Sequence, residues 1–325
     1  MKKKALIIGV TGQDGAFLAK YLLEKNYTVY GTSRDKERAN INSLITLNIQ
    51  NDVTLYSMSL IDFRSVVQVF LEIQPDEVYN LSGQTSVGLS FEMPFDTHES
   101  ISVGTLNILE VIRLFKQNTK FYNASSSECF GDTGGQSANE KTPFRPKSPY
   151  GVAKSSAFWQ VSNYREAYNL HVSSGILFNH ESYLRPKRFV TQKIVLAAIN
   201  IYNKKQNSFK IGNINISRDW GWAPDYVEAM YLILQQENPD DYIIATGKTI
   251  SLKDFIKITF DYFGLNYKDY IIVDKSLLRP SDILTSKADN SKAKNILGWE
   301  PTKDIENVIK EMIEFQLKIK NENRD

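Results

Sequence analysis

Ser126, Glu128, Tyr150 and Lys154 are the four side chains whose types and spacing could do chemistry together. Tyr150 and Lys154 stand four residues apart, which on a helix puts a phenol and an ammonium on one face, one turn from each other. A free phenol titrates near about 10 and is a poor base at neutral pH. A neighbouring cation favours phenolate, so such a pair can take the proton of a hydroxyl while hydride leaves the same carbon. Ser126 can hold the reacting oxygen. Glu128 adds something that hydroxyl oxidation does not need: a carboxylate able to remove a carbon-bound proton and give one to a departing hydroxyl. A chain with 17 tyrosines produces Tyr-x-x-x-Lys by chance, and a glutamate after a serine often only starts a helix. The cluster therefore counts only if the fold brings it to one place.

A hydride acceptor needs its own site, and one stands far upstream. Gly9-Val10-Thr11-Gly12-Gln13-Asp14-Gly15 follows the apolar run Ala5-Leu6-Ile7-Ile8 and precedes a segment whose Phe17, Leu18, Tyr21 and Leu22 share one helical side. A strand that ends in Gly-x-x-Gly-x-x-Gly and opens a helix sets backbone N–H groups and the helix's positive end against a dinucleotide's diphosphate. Gly9 permits the turn, Gly12 lets the chain approach the phosphates, and Gly15 lets helix and strand pack closely. The second strand ends in Gly31-Thr32-Ser33-Arg34-Asp35. An arginine there suits a 2′-phosphate and an acid suits a ribose 2′-hydroxyl. Arg34 favours NADP, and Asp35 keeps NAD as the alternative.

Elements that could position these residues alternate through the first half. Short apolar runs at residues 5–8, 28–31, 53–57, 77–81, 120–124 and 172–178 predict strands, and 16–24, 63–72, 104–115 and 150–168 predict helices between them. That alternation predicts an α/β fold, a Rossmann-type doubly wound parallel sheet with both faces covered. After Asn179 the pattern breaks into basic and polar stretches such as Arg185-Pro186-Lys187-Arg188. One strand (242–245) and helices at 224–236, 251–263 and 305–319 follow. The reading is a dinucleotide-binding domain of residues 1–178 plus 221–247, with a smaller, interleaved α/β substrate-binding lobe of 179–220 plus 248–325.

The bulk composition removes other classes. The chain has 325 residues, 42% of them apolar, which is enough for a large core. Its net charge is +2 with lysine and arginine scattered, so no nucleic-acid partner is expected. Cys129 is the single cysteine and the three histidines lie far apart, so neither an internal disulfide nor a metal centre is expected. The apolar run after the first lysines is too short for a signal peptide, and no segment approaches the roughly 18 apolar residues of a membrane span. A cytoplasmic protein without a membrane partner is the expectation.

Further motifs carry a resemblance. Pro75-Asp76-Glu77-Val78-Tyr79-Asn80-Leu81, Ser125-Ser126-Ser127-Glu128, Ser148-Pro149-Tyr150 and Asn163-Tyr164-Arg165-Glu166 come first. Gly175-Ile176-Leu177-Phe178-Asn179-His180-Glu181-Ser182, Arg218-Asp219-Trp220-Gly221, Ala245-Thr246-Gly247, Arg279-Pro280 and Leu297-Gly298-Trp299 follow. With the glycine loop, they make the chain resemble, almost end to end, the extended short-chain dehydrogenases in their GDP-mannose 4,6-dehydratase branch. The resemblance implies that Tyr150 deprotonates a sugar's 4-hydroxyl, held by Ser126, as hydride passes from C4 to the cofactor. Glu128 then removes the C5 proton and protonates the 6-hydroxyl as water leaves, and the hydride returns to C6. No net redox equivalent is consumed, which implies a tightly bound cofactor.

By the same resemblance Gly9, Thr11, Gly12, Gln13, Asp14, Gly15, Arg34, Ser59, Leu60, Leu81, Ser82, Tyr150, Lys154, His180 and Arg185 would line the cofactor. Ser86, Ser126, Glu128, Asn179, Lys193, Arg218 and Arg279 would line a GDP-sugar, while Trp220 and Trp299 would be packing residues. A homo-oligomer, dimer or tetramer, is implied as well. Three positions depart from the family pattern. Ser126 replaces a threonine, Ser59 replaces an aspartate near the adenine, and Arg34-Asp35 stands for paired arginines. The loop Tyr183–Arg188 also differs from the family's Pro-Arg-Arg-Gly-like stretch. Three alternatives stay open: a dehydratase of a GDP-linked manno-heptose, a GDP-sugar 4-epimerase or 4-ketosugar reductase, and a silent cofactor-binding protein on the same fold.

Overall fold

The computed structural model describes residues 2–115 and 118–322, so residues 1, 116–117 and 323–325 of the expected lobes lie outside the described residues. Strand β1 (Lys4–Ile8) states the architecture in its own side chains. Ala5 and Ile7 enter one apolar cluster, Leu6 and Ile8 another, so this strand is buried on both faces. That is the requirement for a central parallel strand.

The chain continues through α1 (Gln13–Glu24), β2 (Thr28–Ser33), α2 (Asn42–Thr46), β3 (Val53–Ser57), α3 (Phe63–Ile73) and β4 (Glu77–Asn80). Next come α4 (Val87–Glu92), α5 (Pro94–His98), a π-helical stretch over Glu99–Val103, α6 (Gly104–Leu114), β5 (Lys120–Ser126), α7 (Pro149–Tyr168) and β6 (Val172–Leu177). An excursion holds β7 (Asn179–Glu181), α8 (Val190–Tyr202), β8 (Phe209–Ile211) and β9 (Ser217–Trp222) before α9 (Ala223–Gln235) and β10 (Tyr242–Ile244) return to the first sheet. The rest is β11 (Thr249–Ser251), α10 (Leu252–Asp261), β12 (Ile271–Val273) and α11 (Ile305–Glu322).

Seven strands form one sheet in the order β10-β6-β5-β4-β1-β2-β3, all neighbours parallel. This is the Rossmann-type doubly wound fold. Strand order reverses between β1 and β4, and ligands of such sheets bind in the crevice beyond the strand ends at that reversal. Helices α1 and α9 pack on one face and α3 and α6 on the other. A third apolar cluster joins α8, α10 and α11 through Ile194, Ile199, Phe255, Phe260, Val308 and Met312. It supports the three-stranded sheet β11-β9-β7.

Local chemistry fixes the element that matters most for the site. Ser148 caps α7 by accepting from the Gly151 N–H at 3.1 Å, and Pro149 occupies the first turn. This pins the helix start and therefore the position of Tyr150. Asn169 ends the helix in the left-handed region, at φ 54°.

Among the described residues no helix is long and apolar enough to cross a membrane, and no group of His, Cys, Asp and Glu is placed to hold a metal. Trp220 and Trp299 are buried, as packing residues should be. Trp299 donates from Nε1 to the Asp225 carbonyl at 2.8 Å, and the Asp225 carboxylate accepts from the Thr302 N–H at 2.8 Å and hydroxyl at 2.6 Å. Asp225→Ala strands those two donors. We expect a loss of about 1–3 kcal/mol, read as a lower urea midpoint at unchanged slope. An unchanged midpoint would show that this turn adds nothing.

Candidate active site

The cofactor loop is built by contact geometry. Gly9 has φ +90°, and a Cβ there would stand 3.1 Å from the Leu81 carbonyl oxygen. A Cβ on Gly15 would stand 2.3 Å from the Gly9 oxygen and 2.6 Å from the Val10 Cα. The ends of β1 and β4 and the start of α1 therefore interlock only as glycine-bearing chain. Gly12 caps α1 with no side-chain acceptor, so the first helical amides face outward without one. A dinucleotide diphosphate fits this cradle.

Other expected cofactor residues gather along the same sheet edge. Leu81 continues β4, its N–H bonded to the Ile8 oxygen at 3.0 Å, and the Ser82 hydroxyl donates to Asn80 Oδ1 at 2.7 Å. Ser59 and Leu60 follow β3, with Leu60 packed over Gly104. Half-buried Thr11 lies in the loop itself. Arg34 is exposed at the β2 tip, while the Asp35 carboxylate accepts from the Glu37 N–H at 3.0 Å and lies 3.7 Å from Arg38.

Beyond β5, a 3-10 turn over Ser127–Cys129 carries Glu128, and the Glu128 N–H donates to Ser126 Oγ at 3.3 Å. Helix α7 lies against this turn because Gly151 has no side chain: a Cβ there would be 2.8 Å from the Glu128 carbonyl oxygen. Tyr150 and Lys154 are both buried on one face, with Lys154 Nζ 5.9 Å from the Tyr150 ring centroid. Thus Ser126, Glu128, Tyr150 and Lys154 come together.

Their electrostatics are less simple than the Tyr-Lys spacing suggests. Burial pushes the Tyr150 phenol up, while the Ser126 hydroxyl and the Arg185 guanidinium pull against it. Lys154 donates to the Ala124 carbonyl at 2.7 Å, and burial brings its ammonium down to about 8. The expected lowering of the phenol is therefore not a property of the protein alone. Desolvation outweighs the Arg185 charge and the Ser126 hydroxyl.

Glu128 is half-buried, and among the described residues its carboxyl makes no hydrogen bond or ion pair. Burial raises its pKa, with Arg218 and Arg279 drawing it back down. Arg218 is buried at the start of β9. Its Nη1 donates to the Ser217 oxygen at 2.9 Å and the Ile283 oxygen at 2.7 Å, and its Nη2 donates to Asp282 Oδ1 at 3.1 Å. Arg279 Nη1 stands 3.8 Å from the same carboxylate. Ser86, the N-cap of α4, is close as well: a Cβ on Gly88 would meet both Arg279 Nε and Ser86 Oγ at 4.0 Å. Half-buried Asn179 begins β7, paired with Trp220. Lys193 is exposed on α8, and among the described residues no hydrogen bond or ion pair joins it to the other expected substrate residues.

His180 lies in β7 and Arg185 in the loop that follows it. His180 Nε2 lies 2.9 Å from Asp14 Oδ2. Arg185 lies over the Phe189 ring at 3.8 Å, its Nε 3.0 Å from Glu181 Oε2. Buried Glu181 also accepts from the Thr191 hydroxyl at 2.8 Å. The divergent 183–188 loop is thereby anchored, and Tyr183 stacks on Phe315 at 4.3 Å.

The sequence motifs assign no role to two acids, Asp282 and Glu181. Each is set next to an arginine that the motifs do contain, three and four positions away, and that spacing was the available signal.

Fold and site together are those of an extended short-chain dehydrogenase. The chain matches the GDP-mannose 4,6 dehydratase family over residues 6–312. It is 43% identical to GDP-mannose 4,6 dehydratase 1 of Arabidopsis thaliana, covering 98% of this chain and 91% of that protein. It is 39% identical to the GDP-mannose 4,6-dehydratase of Vibrio cholerae, covering 98% and 95%. Its fold is similar to UDP-glucose 4-epimerase of Thermus thermophilus, solved with NAD, at a TM-score of 0.84, 23% identity and coverage of 96% and 98%. The chain belongs to the GDP-mannose 4,6 dehydratase family.

Proposed function

We propose that this chain is a GDP-mannose 4,6-dehydratase, forming the 4-keto-6-deoxy sugar by eliminating water across C5 and C6. The observation that carries the reading is the unpartnered Glu128 carboxyl beside the buried phenol of Tyr150, with Arg218 and Arg279 close by. An epimerase or reductase needs the Tyr-Lys pair but has less use for that acid. In this reading Tyr150 accepts the proton of the sugar's 4-hydroxyl while Ser126 holds that oxygen. Lys154 keeps a positive charge next to the phenol and is anchored through Ala124. Glu128 removes the proton from C5, which a 4-ketone acidifies, and returns one to the 6-hydroxyl as water departs. Its raised pKa suits a group that must be base and then acid. Arg218 and Arg279, with Ser86, Asn179 and Lys193, hold the GDP moiety. Two guanidiniums match a diphosphate through charge-assisted hydrogen bonds.

The cofactor is a nicotinamide dinucleotide, held by the 9–15 loop with Ser59, Leu60, Leu81, Ser82, His180 and Arg185. When bound, it supplies a reversible hydride acceptor. NADP is favoured over NAD because Asp35 is engaged by Glu37 and Arg38 while Arg34 is free of it. Arg34→Ala should weaken NADP binding by about tenfold, the scale of one charge-assisted hydrogen bond, and leave NAD unchanged. Titration of both cofactors checks this, and equal loss for both would assign Arg34 no phosphate. The two lobes are read as residues 1–178 plus 221–247 and 179–220 plus 248–325, with β9 (Ser217–Trp222) crossing that boundary to pair with β7. The protein works in the cytoplasm as a homo-oligomer, for which exposed Phe95 and Trp159 offer apolar surface.

Incubation with GDP-mannose and no added nicotinamide should yield a 4-keto product lighter by one water. Reduced cofactor that accumulates while the 6-hydroxyl survives would reject the dehydratase reading. Preference for a GDP-linked heptose in the same assay would move the substrate but keep the reaction.

A further inference from the structure

Asp14 creates a problem that the cofactor loop must solve. It lies in the first turn of α1. A carboxylate there suits the helix dipole but opposes a phosphate brought to the same helix end. The neighbours of Asp14 answer this. Its Oδ1 accepts from Gln13 Nε2 at 2.9 Å, and its Oδ2 lies 2.9 Å from His180 Nε2. The other ring nitrogen, Nδ1, lies 2.7 Å from the Phe178 carbonyl oxygen. A carbonyl and a carboxylate only accept, so this pair of contacts suits an imidazolium, with a proton on each ring nitrogen. The ring is buried and stacks on Tyr226, centroids 4.4 Å apart. The contact extends through the backbone: Gln13 Nε2 donates to the His180 carbonyl at 3.3 Å, and the Ser182 hydroxyl donates to Gln13 Oε1 at 2.8 Å. Thus α1 is stapled to β7, at the junction where the chain leaves the large sheet.

We propose that His180 is a positioning residue that supplies the fixed cation of the cofactor loop. Its imidazolium cancels the Asp14 charge and holds α1 to β7, so a dinucleotide's diphosphate meets no free carboxylate. The inference deepens the nicotinamide reading and rests on it. The charged surroundings agree. Burial alone would disfavour the imidazolium, but Asp14 outweighs burial and the Arg185 charge, and the ring's pKa lies above its ordinary value. Burial likewise acts to raise Asp14, and His180, Gln13 and Arg185 reverse this to a net lowering. Glu181, next in sequence, is engaged by Arg185 and Thr191, and burial favours its neutral form. The Tyr226 phenol, pushed up by burial, stays neutral beneath the ring. The sign follows. A raised histidine pKa means the staple is complete below the ordinary value of about 6.5 and is lost as pH rises through the folded value.

The experiment uses the full chain stripped of cofactor, with NADP and NAD as probes. His180→Gln should weaken cofactor binding by at least about tenfold, the scale of bringing like charges together. The double variant His180→Gln with Asp14→Asn should recover most of that loss. Nitrogen NMR of the three histidines should show His180 doubly protonated above the ordinary range, and Asp14→Asn should bring its titration down. A double variant as weak as the single one, or a His180 ring that titrates no higher than an ordinary imidazole, overturns the inference while leaving the nicotinamide reading intact. Wild-type protein that binds neither cofactor at any pH overturns both.

Discussion

Glu128→Gln should retain cofactor and GDP-sugar binding and lose water elimination by about two to four orders of magnitude, the range of a removed general acid–base group. The glutamine keeps the size of the side chain, and no hydrogen bond or ion pair of the carboxyl is broken by the change. Stability should therefore hold while the chemistry fails. The 4-ketone formed by oxidation cannot go on to lose water, so reduced nicotinamide should build up on the variant, visible as near-ultraviolet absorbance. In the wild type, kcat/KM should fall with acid at a pH above the ordinary carboxylate range. Burial raises this carboxyl, and the carboxylate that takes the C5 proton disappears as pH drops through that raised value. Equal loss of cofactor affinity in Glu128→Gln would instead make the side chain a structural support for the turn after β5.

Tyr150→Phe should abolish the step before that one. The phenol is buried close to the Ser126 hydroxyl and has no substitute acceptor at its position, so loss of the hydroxyl should cost about two to four orders of magnitude in kcat. The two variants differ in a way that separates their roles. Tyr150→Phe should accumulate no reduced nicotinamide in a single turnover, whereas Glu128→Gln should. Reduced cofactor appearing at the wild-type rate in Tyr150→Phe would remove the phenol from the oxidation step.

The sheet was legible because its signals are local and repeated. Strand β3 falls where its apolar run does, and β1, β4 and β6 depart from the reading by a residue at one end. Strand β5 runs two residues further than its apolar stretch, because Ser125 and Ser126 keep pairing with Ile176 and Leu177. That extension matters, since it carries Ser126 to the sheet edge. Helix α8 was not read: the basic run before it suggested an irregular segment, and its apolar residues lie on nearly every side instead of in one stripe. Strands β7 and β11 have three residues each, too few for alternation to show.

The site divides along the same line. Tyr150 and Lys154 are coupled by helix spacing, and the glycine loop by its position between strand and helix, so both could be read from neighbours in sequence. The pairing of Asp14 with His180 spans 166 residues, and that of Arg218 with Asp282 spans 64. No local pattern records such contacts. The direction of the Tyr150 shift was also beyond the sequence, because it depends on how completely the fold removes water from the phenol.

The most direct measurement follows a label through one turnover. GDP-mannose carrying deuterium at C4 should give a 4-keto product lighter by one water, with the deuterium at C6, since the account returns the same hydride to the same sugar. Deuterium found in released cofactor, or a product that keeps its 6-hydroxyl, would contradict elimination assisted by Glu128.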